Sequence, residues 1–303
     1  MTVIDTPLWP HKNFAHWPSG FRAAICLTWD VDDETPVYSR PSTPLSEASE
    51  IEQRRYGIRR GLPLIVEMLK ATGVPAAFYF PAYMARQWAA VVRSLSQSGY
   101  EIGGHGYLHE PVGNLQRHQE EEIIGESLDV LRSLSEKPIR GYRTPSWQFN
   151  LWTPELLTRA GVIYDSSLMG DIAPYALAVD SRTHLIEIPI HWYWDDVEYW
   201  GHTQVTRGHV IVPPSGVLQV WKAELDGVVE AGGSFVLTLH PHVSGRPGLL
   251  TAVRQFVDYA KTIEGLWFTT PGEIADYVKS TDQVPTVRLA STSPAVEYTR
   301  KLP

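Results

Sequence analysis

The sequence predicts an α/β protein made of repeated βα units that close into a barrel, and three observations carry that expectation. Apolar runs alternate with amphipathic stretches along most of the 303 residues, which is the rhythm of βα units rather than of an all-β chain. Four polar clusters each follow the C-terminal end of a predicted strand, where barrel strands converge on one face. The 43% hydrophobic content provides side chains for a large core. Length alone fits one barrel or two small domains. A single catalytic domain over 1–280 is expected.

Strands are expected near 22–30, 75–80, 100–103, 138–142, 162–165, 185–190, 209–212, 234–240 and 265–268. Helices are expected over 56–72, 84–98, 116–135, 153–160, 217–231, 248–263 and 271–279. The helix after Gln119 has the clearest pattern: Ile123, Ile124, Leu128, Leu131 and Leu134 recur at three and four, and Glu120–Glu122 sits where the helix dipole favours anions. Two long insertions, 31–55 and 191–208, interrupt the rhythm, and loops of that length on a regular scaffold commonly carry function. Residues 281–303 show little periodicity and are expected as an extended tail on the surface or against another subunit.

Composition narrows the partners. The net charge of -8, from 34 acidic residues against 26 Lys and Arg with no basic cluster, disfavours nucleic acid and anionic membranes. The first twenty residues lack the basic stretch and apolar run of a secretory signal, and no segment approaches the roughly 20 apolar residues of a membrane span. A cytoplasmic protein is expected. Cys26, the single cysteine, lies in an apolar run and reads as a buried thiol. Eleven tryptophans and fourteen tyrosines exceed what a core of this size needs, and surplus aromatics often line a ligand cleft.

Four clusters carry the chemistry. Thr28-Trp29-Asp30-Val31-Asp32-Asp33-Glu34 ends the first strand, where Asp30 and Asp32 would share a face with Cα atoms about 6–7 Å apart. Two carboxylates that close can divide the binding of a cation and the movement of a proton. Gly103-Gly104-His105-Gly106-Tyr107-Leu108-His109-Glu110 offers histidines four apart, which on one helical turn would hold two imidazoles about 5–6 Å from each other. Two imidazoles and a carboxylate leave the fourth zinc position to water, the arrangement of a catalytic site. In Gly141-Tyr142-Arg143-Thr144-Pro145-Ser146-Trp147, Arg143 is placed to hold a carboxylate by a two-pronged hydrogen bond and Pro145 to stiffen the turn. Leu237-Thr238-Leu239-His240-Pro241-His242 ends an apolar strand in His240, a group suited to protonating a leaving amine. Each cluster alone has an ordinary structural reading. Their common place at strand ends joins them.

In order, TWDVDDE, HGYLH, RTPSW and LHPH resemble the motifs of the NodB-homology polysaccharide deacetylases, which remove N-acetyl groups from chitin-like and peptidoglycan sugars. The likeness runs from about Ala23 to about Tyr277 and implies a distorted (β/α)7-8 barrel. It further implies that Asp30 is the general base, Asp32, His105 and His109 the metal ligands, Arg143 the residue orienting the base, and His240 the general acid. The implied cofactor is a divalent metal, Zn2+ foremost, with Co2+ or Ni2+ as the alternatives.

Some positions depart from the family pattern. DVDDE replaces adjacent aspartates followed by glycine, so Asp33 competes with Asp32 as ligand, with strand alternation favouring Asp32. Trp147 narrows the cleft. The acidic partner of His240 is open among Asp165, Asp195 and Asp196, with Asp196 slightly ahead. The DxDxE form, HGYLHE, WYWDD and HPHVSGRP are most similar to a cytosolic subgroup that includes peptidoglycan-deacetylase-like proteins and cofactor-free allantoinases or cyclic imidases, which implies a homo-oligomer, dimer or tetramer. Tyr107, Pro145, Trp147, Trp192 and Trp194 are the expected substrate-binding residues. The expected substrate is an N-acetylated saccharide or a small-molecule cyclic amide or imide. A metal-free hydrolase, or a silent carbohydrate-binding protein using Trp147, Trp192, Trp194 and Trp200 as stacking platforms, are the competing readings.

Overall fold

The computed structural model describes residues 17–39, 48–180, 183–202, 210–281 and 284–289. Ten strands form one sheet: β1 (Ala23–Asp30), β2 (Ala77–Phe80), β3 (Glu101–Gly104), β4 (Gly141–Tyr142), β5 (Tyr164–Asp165), β6 (Tyr175–Ala178), β7 (His184–Glu187), β8 (Ser234–Leu239), β9 (Leu266–Thr269) and β10 (Thr286–Val287). They pair in the order β10-β6-β7-β5-β4-β3-β2-β1-β8, and β9 joins the first half of β1 while β2 joins its end. Every ladder is parallel except the β6–β7 hairpin. The sheet curls back on itself, because Asp195, eight residues beyond β7, bridges Thr238 of β8. The result is the distorted α/β barrel that the sequence predicts.

Alternation along the strands sorts side chains into two layers. From β1, Ile25, Leu27 and Trp29 face the main core with Phe78, Phe80, Phe235, Leu237 and Leu239. Ala24 and Cys26 face the barrel interior with Ala77, Tyr79, Tyr164 and Val236. The same parity carries Thr28 and Asp30 inward. Small inner side chains on β1 and β2 leave room for the two tyrosine rings, and glycine on the neighbouring strands completes the fit: a Cβ at Gly103 would stand 2.5 Å from the Tyr79 ring. Burial pushes the Cys26 thiol well above its ordinary pKa, so it stays protonated and inert.

Helices cover the outside. Arg117–Leu134 matches the expected helix, buries Ile124, Leu128, Leu131 and Leu134, and starts with a capping box between Gln116 and Gln119. The helix expected over 56–72 begins at Ala48 and passes through a π-turn, Gly57–Gly61, before Leu62–Thr72. The one expected over 84–98 divides at Trp88, which leaves the helical region at φ -119° and ψ 39°.

Two points of the expected element pattern need correction. Residues 210–212 form no strand; Val210 and Ile211 are 84% and 63% exposed, so their apolar run does not enter the core. Tyr175–Ala178 is a strand the sequence reading left unassigned, the antiparallel partner of β7. Part of the expected tail is ordered as β10 alongside β6, and its stretch from 290 to 303 lies outside the described residues, as do 40–47 and 203–209 of the two insertions. Among the described residues, no helix is long and apolar enough to cross a membrane.

Candidate active site

Asp30 closes β1 with its side chain turned inward, and Arg143 follows β4 onto the same side. The Arg143 guanidinium is fully buried and donates from Nη1 to Asp30 Oδ1 at 2.8 Å and to Thr28 Oγ1 at 2.9 Å. Nε donates to the Ser166 carbonyl at 2.9 Å and Nη2 to Ser166 Oγ at 3.0 Å. The two-pronged grip expected on a carboxylate is therefore a single prong, because the rest of the fork is occupied by Thr28 and Ser166. The Tyr79 ring lies under the fork, 4.4 Å from the guanidinium carbon.

Asp32, His105 and His109 come together, with one ligand atom from each mutually within 4.8 Å. Asp32 Oδ1 is 3.3 Å from His105 Nε2 and Oδ2 is 3.4 Å from His109 Nε2. The histidines do not lie on a helical turn. Residues 105–110 are irregular, with Gly106 at φ 71° and His109 at φ 59°, and Glu110 ties the turn by accepting the N–H groups of Tyr107 and Leu108 at 3.0 and 2.7 Å. Both imidazoles nevertheless face one point, their centroids 5.1 Å apart.

His105 Nδ1 is 2.7 Å from the Arg143 carbonyl, which can only accept, so Nδ1 carries the proton and Nε2 presents a lone pair toward Asp32. Asp32 Oδ1 is buried without a hydrogen-bond partner. Burial would raise the Asp32 carboxyl, but the positive charge of His109 and His105 when they are protonated holds it well below the usual carboxylate range. An orphaned carboxylate oxygen between two oriented imidazole nitrogens is a donor set that fits a divalent cation.

Asp33 points elsewhere. Its Oδ2 accepts from Ile58 N at 2.9 Å, and burial pushes its carboxyl well up.

His240 follows β8, and its Nε2 is 3.6 Å from Asp32 Oδ2, on the same pocket. Its Nδ1 donates to Asp196 Oδ1 at 2.7 Å. Asp196 Oδ2 accepts the His240 N–H at 2.9 Å and the Ser244 N–H at 3.2 Å. Burial alone would lower the imidazole, but Asp196, with Asp195 and Asp32, brings it up to about 10.

Of the three acidic candidates, Asp196 is thus the partner. Asp195 is 3.8 Å away and spends Oδ1 on Val197 N at 2.6 Å; burial pushes it up to about 8. Asp165 faces its register partner Glu187, and burial pushes it up to about 7.

The aromatic candidates divide. Trp147 and Trp192 stack, centroids 4.2 Å apart at 26°, joining the loop after β4 to the loop after β7; Trp192 is 40% exposed. Ser146 and Trp147 adopt positive φ, 51° and 56°, after buried Pro145, a conformation costly for side chains with a Cβ. Tyr107 OH accepts from Arg86 Nη1 at 3.0 Å near the surface. Trp194 is corrected: it is 3% exposed, lies 4.8 Å from Phe235 and donates Nε1 to Glu224, so it belongs to the core. Residues two apart in the 3-10 turn Trp192–Trp194 point in different directions, which sends one indole out and the other in. Trp200 is likewise buried, against Trp221.

The sequence reading missed Thr28, Tyr79 and Ser166. Thr28 was reachable, being two residues before Asp30 on the same face of a strand. Ser166 lies in YDSS, which drew notice only for Asp165.

Comparison with known proteins finds relatives over most of the chain. The family model for polysaccharide deacetylase matches residues 56–164. A peptidoglycan deacetylase of Helicobacter pylori is 30% identical over 242 residues, 71% of this chain and 83% of that one. A crystal structure of a Mycobacterium smegmatis protein assigned as a polysaccharide deacetylase superposes with a TM-score of 0.88 at 32% identity, covering 93% of this chain and 98% of the other. The crystal structure of the PuuE allantoinase shares the fold, with a TM-score of 0.80 at 22% identity over 93% and 97% of the two chains.

Proposed function

Since the chain belongs to the polysaccharide deacetylase family, whose members hydrolyse carbon–nitrogen bonds other than peptide bonds, we propose that it removes the acetyl group from an N-acetylated saccharide with the help of a divalent metal. The observation that carries this reading is the convergence of Asp32, His105 and His109 opposite the His240–Asp196 pair. The peptidoglycan deacetylase among its relatives supports the choice of substrate class.

Asp32, His105 Nε2 and His109 Nε2 are the residues that would hold the ion, which when bound polarises the amide carbonyl and acidifies a water. Asp30 takes the proton from the attacking water, and Arg143 keeps its carboxylate turned to that task. The C–O bond forms first, making the carbonyl carbon tetrahedral, and the C–N bond then breaks. His240 protonates the departing nitrogen from Nε2 while Asp196 holds Nδ1–H, so the products are acetate and a free amine. The exposed face of Trp192, backed by Trp147, suits the apolar face of a sugar ring.

The same stack narrows the mouth and favours a small cyclic amide or imide as the second reading. Acetate release from N-acetylglucosamine oligomers, measured beside hydrolysis of a cyclic imide, separates the two. Metal analysis is expected to give one ion per chain, with activity lost to a chelator and restored by Zn2+. Turnover indifferent to the chelator, without bound metal, would refute the metal-dependent reading. Asp30→Asn is expected to abolish turnover and leave saccharide binding intact; unchanged turnover would remove Asp30 from the reaction.

A further inference from the structure

Arg143 holds Asp30 through a single hydrogen bond, so whatever fixes the guanidinium also fixes the carboxylate. The N–H groups with which Nε, Nη1 and Nη2 donate to Ser166, Thr28 and Asp30 all lie in the plane of the guanidinium. In-plane bonds define position and rotation within that plane but resist tilting out of it weakly. The group that faces the plane is Tyr79, its centroid 4.4 Å from the guanidinium carbon.

Tyr79 is placed there by the sheet. In the ladders of β2 it stands opposite Asp30 on one side and Gly103 on the other. The missing side chain at Gly103 lets the ring lie flat over the β3 backbone, where a Cβ would come within 2.5 Å of it. The phenol is committed as well. Tyr164 gives its only proton to Glu101 Oε1 at 2.6 Å, so the 3.0 Å contact between the phenols has Tyr79 donating to Tyr164. Glu101 Oε2 in turn accepts from Gly272 N at 3.1 Å. A phenol donating into a chain that ends on a carboxylate is richer in π-electron density, which strengthens its attraction for a cation above the ring.

We propose that Tyr79 is a positioning residue for the reaction: its ring, pinned by Gly103 and by the Tyr164–Glu101 chain, holds the Arg143 guanidinium level and thereby keeps Asp30 aimed at the attacking water. This inference rests on the proposed role of Asp30. It differs from plain core filling, because it depends on the electrostatics of the ring face and not on its volume.

Replacing Tyr79 by phenylalanine and then by mono-, di- and trifluorophenylalanine keeps the shape while draining the ring face of charge. For acetate release from N-acetylglucosamine oligomers by the metal-loaded protein, kcat is expected to fall stepwise along the series, reaching about tenfold at trifluorophenylalanine. KM and melting temperature should stay near those of Tyr79→Phe. A flat kcat across folded variants would overturn the proposal.

If the wild-type chain releases no acetate, the proposed function fails separately, and crystal structures of the same series decide the point. Tilting of Arg143 with loss of its 2.8 Å contact to Asp30 supports the positioning role, and an unmoved guanidinium in the trifluorinated variant refutes it.

Discussion

Asp196→Asn tests the acid half of the site most directly. The 2.7 Å Nδ1–H to Oδ1 bond is charge-assisted and buried, and such a bond contributes about 1.5–3 kcal/mol. Losing it should lower the His240 titration from about 10 by roughly one to two pH units. The amide also donates where the carboxylate accepted, so imidazolium, with protons on both nitrogens, loses its partner. If His240 is the general acid, kcat should fall about hundredfold or more.

The stability of the chelated protein carries the same signature. His240 titrates higher when folded than the ordinary value near 6.5, so its contribution is complete below about 6.5 and fades as the pH climbs toward 10. In Asp196→Asn that fade should finish one to two pH units earlier. Imidazole NMR titration and urea denaturation between pH 6 and 10 measure both effects. A His240 titration that does not move, together with kcat within threefold of wild type, would refute the assignment.

Other perturbations have equally definite outcomes. Trp192→Ala removes the exposed half of the indole stack, for about 0.5–1.5 kcal/mol, so KM for a saccharide should rise severalfold at constant kcat; a lower kcat at constant KM contradicts the platform role. Burial raises both Asp165, to about 7, and Glu187, well above the usual carboxylate range, so their contribution is complete at low pH and is lost as the pH rises, that of Asp165 through about 7. Glu187→Gln should therefore be more stable than wild type at pH 8 and no more stable at pH 4, and denaturation curves that shift equally at both would count against the shared burial. Gly141→Ala drives a methyl group into the Tyr164 ring, an overpacking of about 1–3 kcal/mol, so calorimetry should show a lower melting temperature with both tyrosine rings displaced. Unchanged melting would mean that the ring has room to move.

Much of the site is legible in the sequence because strand parity is a strong constraint. Asp30 and Thr28 must share a face, and His240 extends the inner row of Val236 and Thr238. What parity cannot reach is loop conformation. The HxxxH spacing suggests a helical turn, yet Gly106 and His109 take positive φ, and the imidazoles converge through a turn tied by Glu110. Trp192 and Trp194 look equivalent in WYWDD, and only the turn decides which indole meets water. Residues 210–212 mislead by composition: in this apolar run followed by two prolines, Val210 and Ile211 stay exposed and only Val212 packs against the core, with no strand formed. The Tyr79–Gly103 and Tyr164–Gly141 fits are invisible one residue at a time, since each joins a bulky side chain to the absence of one on a neighbouring strand.

The seam of the barrel ties chemistry to the completeness of folding. Asp195 forms the bridge to Thr238 by which the curled sheet meets itself, and Asp196 reaches His240 from the next position. Asp32, His105 and His109 assemble from the first 109 residues, whereas His240 gains its anchoring carboxylate only when segments more than forty residues apart are zipped together. A chain with that clasp undone would keep Asp32, His105 and His109 together but leave His240 without the carboxylate that holds it.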